Sequence, residues 1–309
     1  MPLSRKARGR LQLGVCFGFV VVLYLVLYIS LRPASGPLSV PPGALRAHLP
    51  SGIDVPSTLS GRTLSKQAFV LVLTSATELP GARVLAYSLA QTQSRTSPPL
   101  VALCQEGCFS EAQLALLGSS GFAEVFEAPE ISVPSVFARD HSWFLLRVWQ
   151  LEQYERVVVL LPSFLVLQSI EELFKLELPN GAIAATRDCC DRFDPSLMVI
   201  CPSRSLLQQM LDQLSERHRV VDPHTPDRLR FFLNELFADR WRALPFTYRA
   251  TADTFASGYW KAADMKLIHF NNVLPFSHEP MSPSLEYLLP LHDRWWDAYG
   301  VLEPDLRID

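Results

Sequence analysis

The chain has 309 residues, a formal net charge of −3, 49% apolar residues and 19% charged residues. A balance so close to neutral argues against a nucleic-acid-binding protein, which carries a basic face. The apolar content suits a globular domain accompanied by a membrane segment.

The N-terminus reads as a membrane anchor. Residues 11–31 carry no charge and are long enough to cross a hydrocarbon core of roughly 30 Å. Arg5, Lys6, Arg8 and Arg10 precede this run and only Arg32 follows closely, which places residues 1–10 in the cytosol and the rest in the lumen. The alternative is a cleaved signal peptide with a small-residue site at Ala34-Ser35-Gly36. The apolar run is longer than the roughly 7–15 residues of a signal-peptide core, so a single-pass type II anchor is expected. Residues 32–66 are rich in Pro, Ser and Gly and read as a lumenal stem. A folded domain is expected over 67–301, with a tail at 302–309. Of six cysteines, Cys16 lies in the anchor. Cys104, Cys108, Cys189, Cys190 and Cys201 would meet an oxidising lumen, where Cys104 and Cys108 have the spacing to close a small disulfide loop. The spacings do not suit zinc.

Along the domain, residues 68–74 form an apolar run ending in small polar residues, the pattern of a buried parallel strand. A helix is expected over 82–91, a strand over 100–104, a helix from an N-cap at Ser110 to Leu117, and a strand over 123–126. Next come a helix over 143–154, a strand over 157–161, and a capping box from Ser169 to Glu172. Strands over 181–186 and 197–201, helices over 203–218 and 226–237, and a strand over 266–270 complete the series. Strands alternating with helices predict an α/β fold with a mostly parallel central sheet and helices on both faces. Ligands of such sheets sit at the carboxyl ends of the strands. Thr74-Ser75 and Leu161-Pro162-Ser163 both fall at predicted strand ends, so they are candidates for one cleft.

Several segments resemble glycogenin-like glycosyltransferases of family 8, in order and at matching spacing. Leu73-Thr74-Ser75 with Leu79-Pro80-Gly81-Ala82 is similar to the family's opening, where the first strand meets the nucleotide. Arg147 to Leu151 and Tyr154 to Val158 are similar to its approach to the central strand, and Leu165 to Ile170 with Glu172-Leu173-Phe174 to the exit. Phe193 to Pro202, Asp227-Arg228, Ile268-His269-Phe270-Asn271 and Trp295-Trp296 fit later motifs. The resemblance covers about residues 69–299. It implies a GT-A-like fold, a nucleotide-sugar donor (UDP-linked), a glycan or protein acceptor, and retention of anomeric configuration.

The departures from that pattern fall on its chemistry. In the family an Asp-x-Asp and a late histidine hold manganese against the diphosphate leaving group. Here the triplet is Leu161-Pro162-Ser163 and only His269 remains. One imidazole and one hydroxyl are poor ligands for Mn²⁺ or Mg²⁺, which favour several oxygens, so no metal is expected. Leu145 replaces a lysine, Asp194-Pro195-Ser196 replaces Asn-Ser-Gly, and Arg228 replaces a glutamine. Residues 272–276 lack the family's glycine and lysine.

The resemblance makes Asp227 and Arg228 the catalytic candidates, and Thr74, Ser75, Ser163 and His269 the donor-binding ones. Each has a plainer reading: His269 as a hydrogen-bonded strand histidine, Asp227 as an acid at a helix N-terminus, Arg228 as a solvated helix residue. Arg139 and Arg147 are further candidates to replace the metal's charge. Asp188, Asp191 and Asp194 read as an exposed loop with Asx-turns rather than a displaced metal site, and Trp143, Trp149, Trp241 and Trp260 as core. Two functions follow. One is a Golgi type II membrane glycosyltransferase working without metal. The other is an inactive family member that binds or scaffolds an active glycosyltransferase in the lumen.

Overall fold

The computed structural model describes residues 66–134, 140–188, 191–217, 227–255, 258, 260–271, 274–277 and 283–302. The expected anchor at 11–31, nearly all of the stem, and Arg139, Cys189 and Cys190 lie outside them. Among the described residues no helix is long and apolar enough to cross a membrane.

The strands are β1 (Gln67–Leu73), β2 (Leu100–Gln105), β3 (Glu124–Ala128), β4 (Arg156–Leu160), β5 (Phe164–Val166), β6 (Ile183–Arg187), β7 (Phe193–Ile200), β8 (Trp241–Leu244), β9 (Ala250–Thr251) and β10 (Leu267–His269). The α-helices are α1 (Leu79–Thr92), α2 (Glu111–Ser119), α3 (Arg204–Arg217), α4 (Arg228–Leu236), α5 (Ala252–Phe255) and α6 (Leu289–Leu302). Seven strands form the main sheet in the order β3-β2-β1-β4-β7-β6-β8. All neighbours are parallel except β7, which runs antiparallel to both β4 and β6. The mostly parallel α/β fold read from the sequence is therefore present.

Alternation along β1 shows why its apolar run is continuous. Ala68, Val70 and Val72 face one core layer, with Trp143, Trp149 and Phe232. Phe69, Leu71 and Leu73 face the other, with Leu85, Leu89 and Phe174. Side chains alternate faces along a strand, and helical layers cover both faces, so no position of β1 is left for a polar residue.

Three local expectations are corrected. The helix expected over 143–154 is a 3-10 helix, His141–Gln150, started by the Asp140 carboxylate. Residues 143 to 149 are all buried there, so packing on every side, not one amphipathic stripe, sets its winding. The capping box at Ser169 does not form. Ile170 precedes the 3-10 helix Glu171–Lys175, and the Glu172 carboxylate is taken by Lys266 and by the Tyr248 hydroxyl at 2.5 Å. The disulfide is absent too, because Cys104, Cys108 and Cys201 are free thiols. Burial at the end of β2 pushes the Cys104 thiol up to about 12. By contrast, Ser110 caps α2 as expected, in a capping box with Gln113.

A second, three-stranded sheet β5-β10-β9 positions the site. β10 runs antiparallel to β5 and parallel to β9, with His269 opposite both Phe164 and Thr251. Ser163 immediately precedes β5 and Arg249 immediately precedes β9. This small sheet gathers Ser163, His269 and Arg249 at the carboxyl ends of β1 and β4.

Candidate active site

A cleft of about 610 Å³ opens at those strand ends. Thr74, Ser163, Asp227 and His269 line it, together with Glu78, Asp188, Asp194, Arg230, Arg249 and Asn271. The sequence-derived candidates are thus largely brought together, across nearly 200 residues of chain. Ser75 is turned away to cap the short helix Ala76–Glu78, accepting from the Thr77 N–H at 3.3 Å. On α4 the arginine facing the cleft is Arg230; Arg228 is not among the lining residues. Arg147 is buried elsewhere, donating to the Pro129 and Glu130 carbonyls at 2.9 and 3.0 Å. Trp143, Trp149 and Trp260 are core residues.

Each wall of the cleft has a local cause. Pro195 has no N–H and cannot pair inside a central strand. The β6–β7 register accordingly breaks between Ala185 and Thr186, so that Ala185 faces Met198 while Thr186 faces Asp194. The extra residues bulge, a device common beside functional sites. Asp194 closes an Asx-turn over the bulge, its Oδ1 accepting from the Ser196 N–H at 2.8 Å. On the opposite wall, α1 begins at Leu79-Pro80-Gly81. A Cβ at Gly81 would lie 2.6 Å from both the Pro162 carbonyl oxygen and the Phe276 ring. Only glycine lets the 161–163 turn and Phe276 approach this closely.

The charges form one alternating network. Arg230 bridges Asp188 and Asp227, at 2.8 Å to each. Arg249, 8% exposed, donates to Asp194 Oδ2 at 2.8 Å, stands 3.7 Å from Asp188, and donates through Nε to His269 Nδ1 at 3.1 Å. His269 Nε2 lies 3.1 Å from Ser163 Oγ, and its ring stacks on Phe164 at 4.5 Å. Burial pushes the Asp194 carboxyl pKa up, but Arg249 and the Ser196 N–H outweigh it and hold it below the usual range. Two of the three aspartates expected on an exposed loop, Asp188 and Asp194, are therefore drawn into the cleft. Asp191 stays outside, paired with Arg187.

Nothing local in the sequence marks Arg249, a lone arginine following Tyr248, or Glu78. The Glu78 carboxylate accepts from the Thr74 and Ser75 N–H groups at 2.7 and 3.2 Å. Burial raises its pKa, and these bonds offset part of the rise. The backbone donors at the end of β1 are thus already occupied from within the chain.

No protein-family model matches the chain. Among curated proteins it is 25% identical over 255 residues to a putative UDP-glucuronate:xylan alpha-glucuronosyltransferase 3 of Arabidopsis thaliana, covering 81% of this chain and 38% of that protein. It is 27% identical over 274 residues to human glycogenin-2, covering 79% and 52%. To tomato (Solanum lycopersicum) galactinol synthase 1 it is 24% identical over 209 residues, covering 56% and 62%. The chain therefore spans between 38% and 62% of the length of these relatives. Among solved structures, the glycosyltransferase GlyE of Streptococcus pneumoniae superposes with a TM-score of 0.56 at 17% identity, covering 75% of this chain and 60% of that one. The galactosyltransferase LgtC, solved with donor and acceptor sugar analogues, gives 0.55 at 15% identity, covering 73% and 95%. The chain is thus similar in sequence to glycogenin-like family 8 glycosyltransferases, and its fold is that of the GT-A glycosyltransferases.

In this glycosyltransferase-like domain the residues present do not fit the divalent metal that the resemblance implies. Leu161 has no donor atom and Ser163 has one neutral oxygen. The described residues contain no group of three or more His, Cys, Asp or Glu side chains able to hold a metal ion. His269 is committed to Arg249 on one nitrogen and to Ser163 on the other. Asp194 is spent on Arg249.

A second cavity of about 480 Å³ adjoins the cleft and shares Asp188, Arg249 and Asn271 with it as a common wall. Its remaining lining is Thr186, Arg187, Leu244, Phe246, Thr251 and Thr254.

Proposed function

We propose that this family 8 domain no longer transfers sugar from a metal-bound nucleotide and instead binds a saccharide without turnover, as a partner of an active glycosyltransferase. We place it in the Golgi lumen on a type II anchor formed by residues 11–31. The observation that carries this reading is the charge of the cleft. Among the described residues its lining holds four carboxyl groups, Glu78, Asp188, Asp194 and Asp227, against two guanidinium groups, Arg230 and Arg249. Both arginines already face aspartates. A sugar diphosphate entering there meets an acidic surface with no metal to offset it. At an effective dielectric of about 20, one like-charge pair at 4 Å costs about 4 kcal/mol. An uncharged saccharide avoids that cost.

Titration of the full-length protein with UDP and UDP-sugars, with and without Mn²⁺, tests the reading by calorimetry, and no binding is expected under either condition. Metal-independent binding of a UDP-sugar would favour the other reading, a transferase that meets the leaving diphosphate with arginine; the presence of two guanidinium groups in the cleft supports that one. Restoring the carboxylates by Leu161→Asp with Ser163→Asp is expected not to produce Mn²⁺-dependent UDP-sugar hydrolysis. It adds two acids to an acidic cleft and leaves Leu145 where the family has lysine, and residues 272–276 without the family's glycine and lysine.

A further inference from the structure

The orientation of Arg249 against His269 has a consequence for where the imidazole proton sits. Arginine carries N–H donors and no acceptor. Since Arg249 Nε donates to His269 Nδ1, Nδ1 must present its lone pair, and the ring proton must be on Nε2. That N–H then donates to Ser163 Oγ. With its oxygen accepting from the ring, the Ser163 hydroxyl has its own proton free to point elsewhere, and Ser163 is half-buried in the cleft lining. A metal-ligating histidine is wired the opposite way: it gives the metal a lone pair and donates its other N–H to a carboxylate or carbonyl.

We infer that Arg249, His269 and Ser163 form a one-way hydrogen-bond row that ends on the Ser163 hydroxyl and donates it to an uncharged acceptor oxygen of a bound saccharide, in place of the metal of related enzymes. The row starts from a cation, and hydrogen bonds in series polarise one another, so the terminal hydroxyl is a stronger donor than an isolated serine. Asp194 balances the Arg249 charge at 2.8 Å, which leaves the row polarised but without net charge. It therefore favours a hydroxyl or ring oxygen over a phosphate. The same wiring repels cations: the Nε2 lone pair that a metal needs is replaced by a proton. Sequence alone makes His269 the surviving piece of a metal site; the position of Arg249 turns it into a donor. This inference rests on the saccharide-binding reading only for the identity of the ligand.

Long-range proton–nitrogen NMR on full-length protein labelled at histidine nitrogen tests it, with His269 assigned through His269→Gln. The expected result is a proton on Nε2, no Mn²⁺ broadening of the ring, and a shift of the Nε2 resonance on adding free glucose but not pyrophosphate. Ser163→Ala should keep the tautomer and lose the glucose response. Arg249→Met paired with Asp194→Asn removes the ion pair without stranding a buried charge, and His269 should then sample both tautomers. A proton on Nδ1, ring broadening by Mn²⁺ in the unmodified protein, or a response to pyrophosphate in place of glucose would each overturn the row. So would silence toward glucose, for the ligand half. UDP-sugar turnover with the Nε2 proton in place would sink the proposed function and leave the row standing. A Nδ1 proton with no turnover would do the reverse.

Discussion

The cleft and the neighbouring cavity share a wall yet differ in chemistry. Among the described residues the cleft lining has four carboxyl groups against two arginines, whereas the cavity lining sets Asp188 alone against Arg187 and Arg249. The cavity also holds Thr186, whose buried hydroxyl has no hydrogen-bond partner among the described residues. One buried side chain accounts for much of the contrast. Arg249 faces both spaces, and its ion pair with Asp194 neutralises an acid that only the cleft sees. The lesson is that a buried arginine between two pockets does not lend both of them positive charge. What each pocket feels depends on which carboxylates the guanidinium already holds.

The largest expected effect comes from breaking that wall. Arg249→Ala strands Asp194 as a buried, unpaired carboxylate, a loss of about 3–5 kcal/mol, read by chemical denaturation. The paired variant Arg249→Met with Asp194→Asn should recover most of it. If the single and paired variants lose stability equally, Arg249 is a packing residue and the contrast between the two pockets has another origin. Next in size is Gly81→Ala. Its new Cβ meets the Pro162 carbonyl and Phe276, and such overpacking costs about 1–3 kcal/mol. The cleft should distort while the neighbouring cavity, which none of these groups lines, keeps its shape; a crystal structure or hydrogen exchange would show it.

A smaller effect lies in pH. Asp194 has its carboxyl pKa depressed in the folded state. It therefore contributes stability that is fully present above the unfolded value of about 3.9 and is lost as pH falls through its lower folded value. Glu78, whose pKa is raised, has the opposite sign: it costs stability at neutral pH, and the cost shrinks as pH falls through its raised folded value and is gone below the unfolded value of about 4.3. The advantage of the unmodified protein over Asp194→Asn should thus shrink on acidification, while Glu78→Gln should be least harmful at neutral pH. Denaturation midpoints across pH 3 to 7 check both signs. The smallest effect is expected for Arg230→Ala. Its side chain is about one-third exposed and its partners Asp188 and Asp227 are less buried than Asp194, so roughly 0–1 kcal/mol is at stake. A loss as large as that of Arg249→Ala would show that the outer half of the network is as essential as the buried half.

Much of this protein was legible in its sequence. The apolar runs at 68–74, 100–104 and 157–161 became β1, β2 and β4, because strands covered on both faces leave no polar position. The strand expected over 197–201 instead begins at Phe193 and carries Pro195 within it, and the Asx-turn of Asp194, expected on an exposed loop, forms in the cleft wall. Thr74, Ser163 and His269, expected near the site from strand ends and resemblance, line one cleft. Ser169 was misread, because its capping-box pattern is local while Lys266 and Tyr248, which claim Glu172, come from far along the chain. The short strands β5, β8 and β9 also escaped notice, since two to four residues give too little periodicity to detect.

What the sequence determined by itself, then, is the framework and the missing metal ligands, since both follow from residue type at a position. What only the tertiary structure decided is the state of the ligands that remain. Arg249 reaches His269 across 20 residues and Asp194 across 55, and His269 meets Ser163 across 106. Hydrogen-bond direction depends on which atoms face each other at about 3 Å. No window of sequence holds those atoms together; the small sheet β5-β10-β9 does.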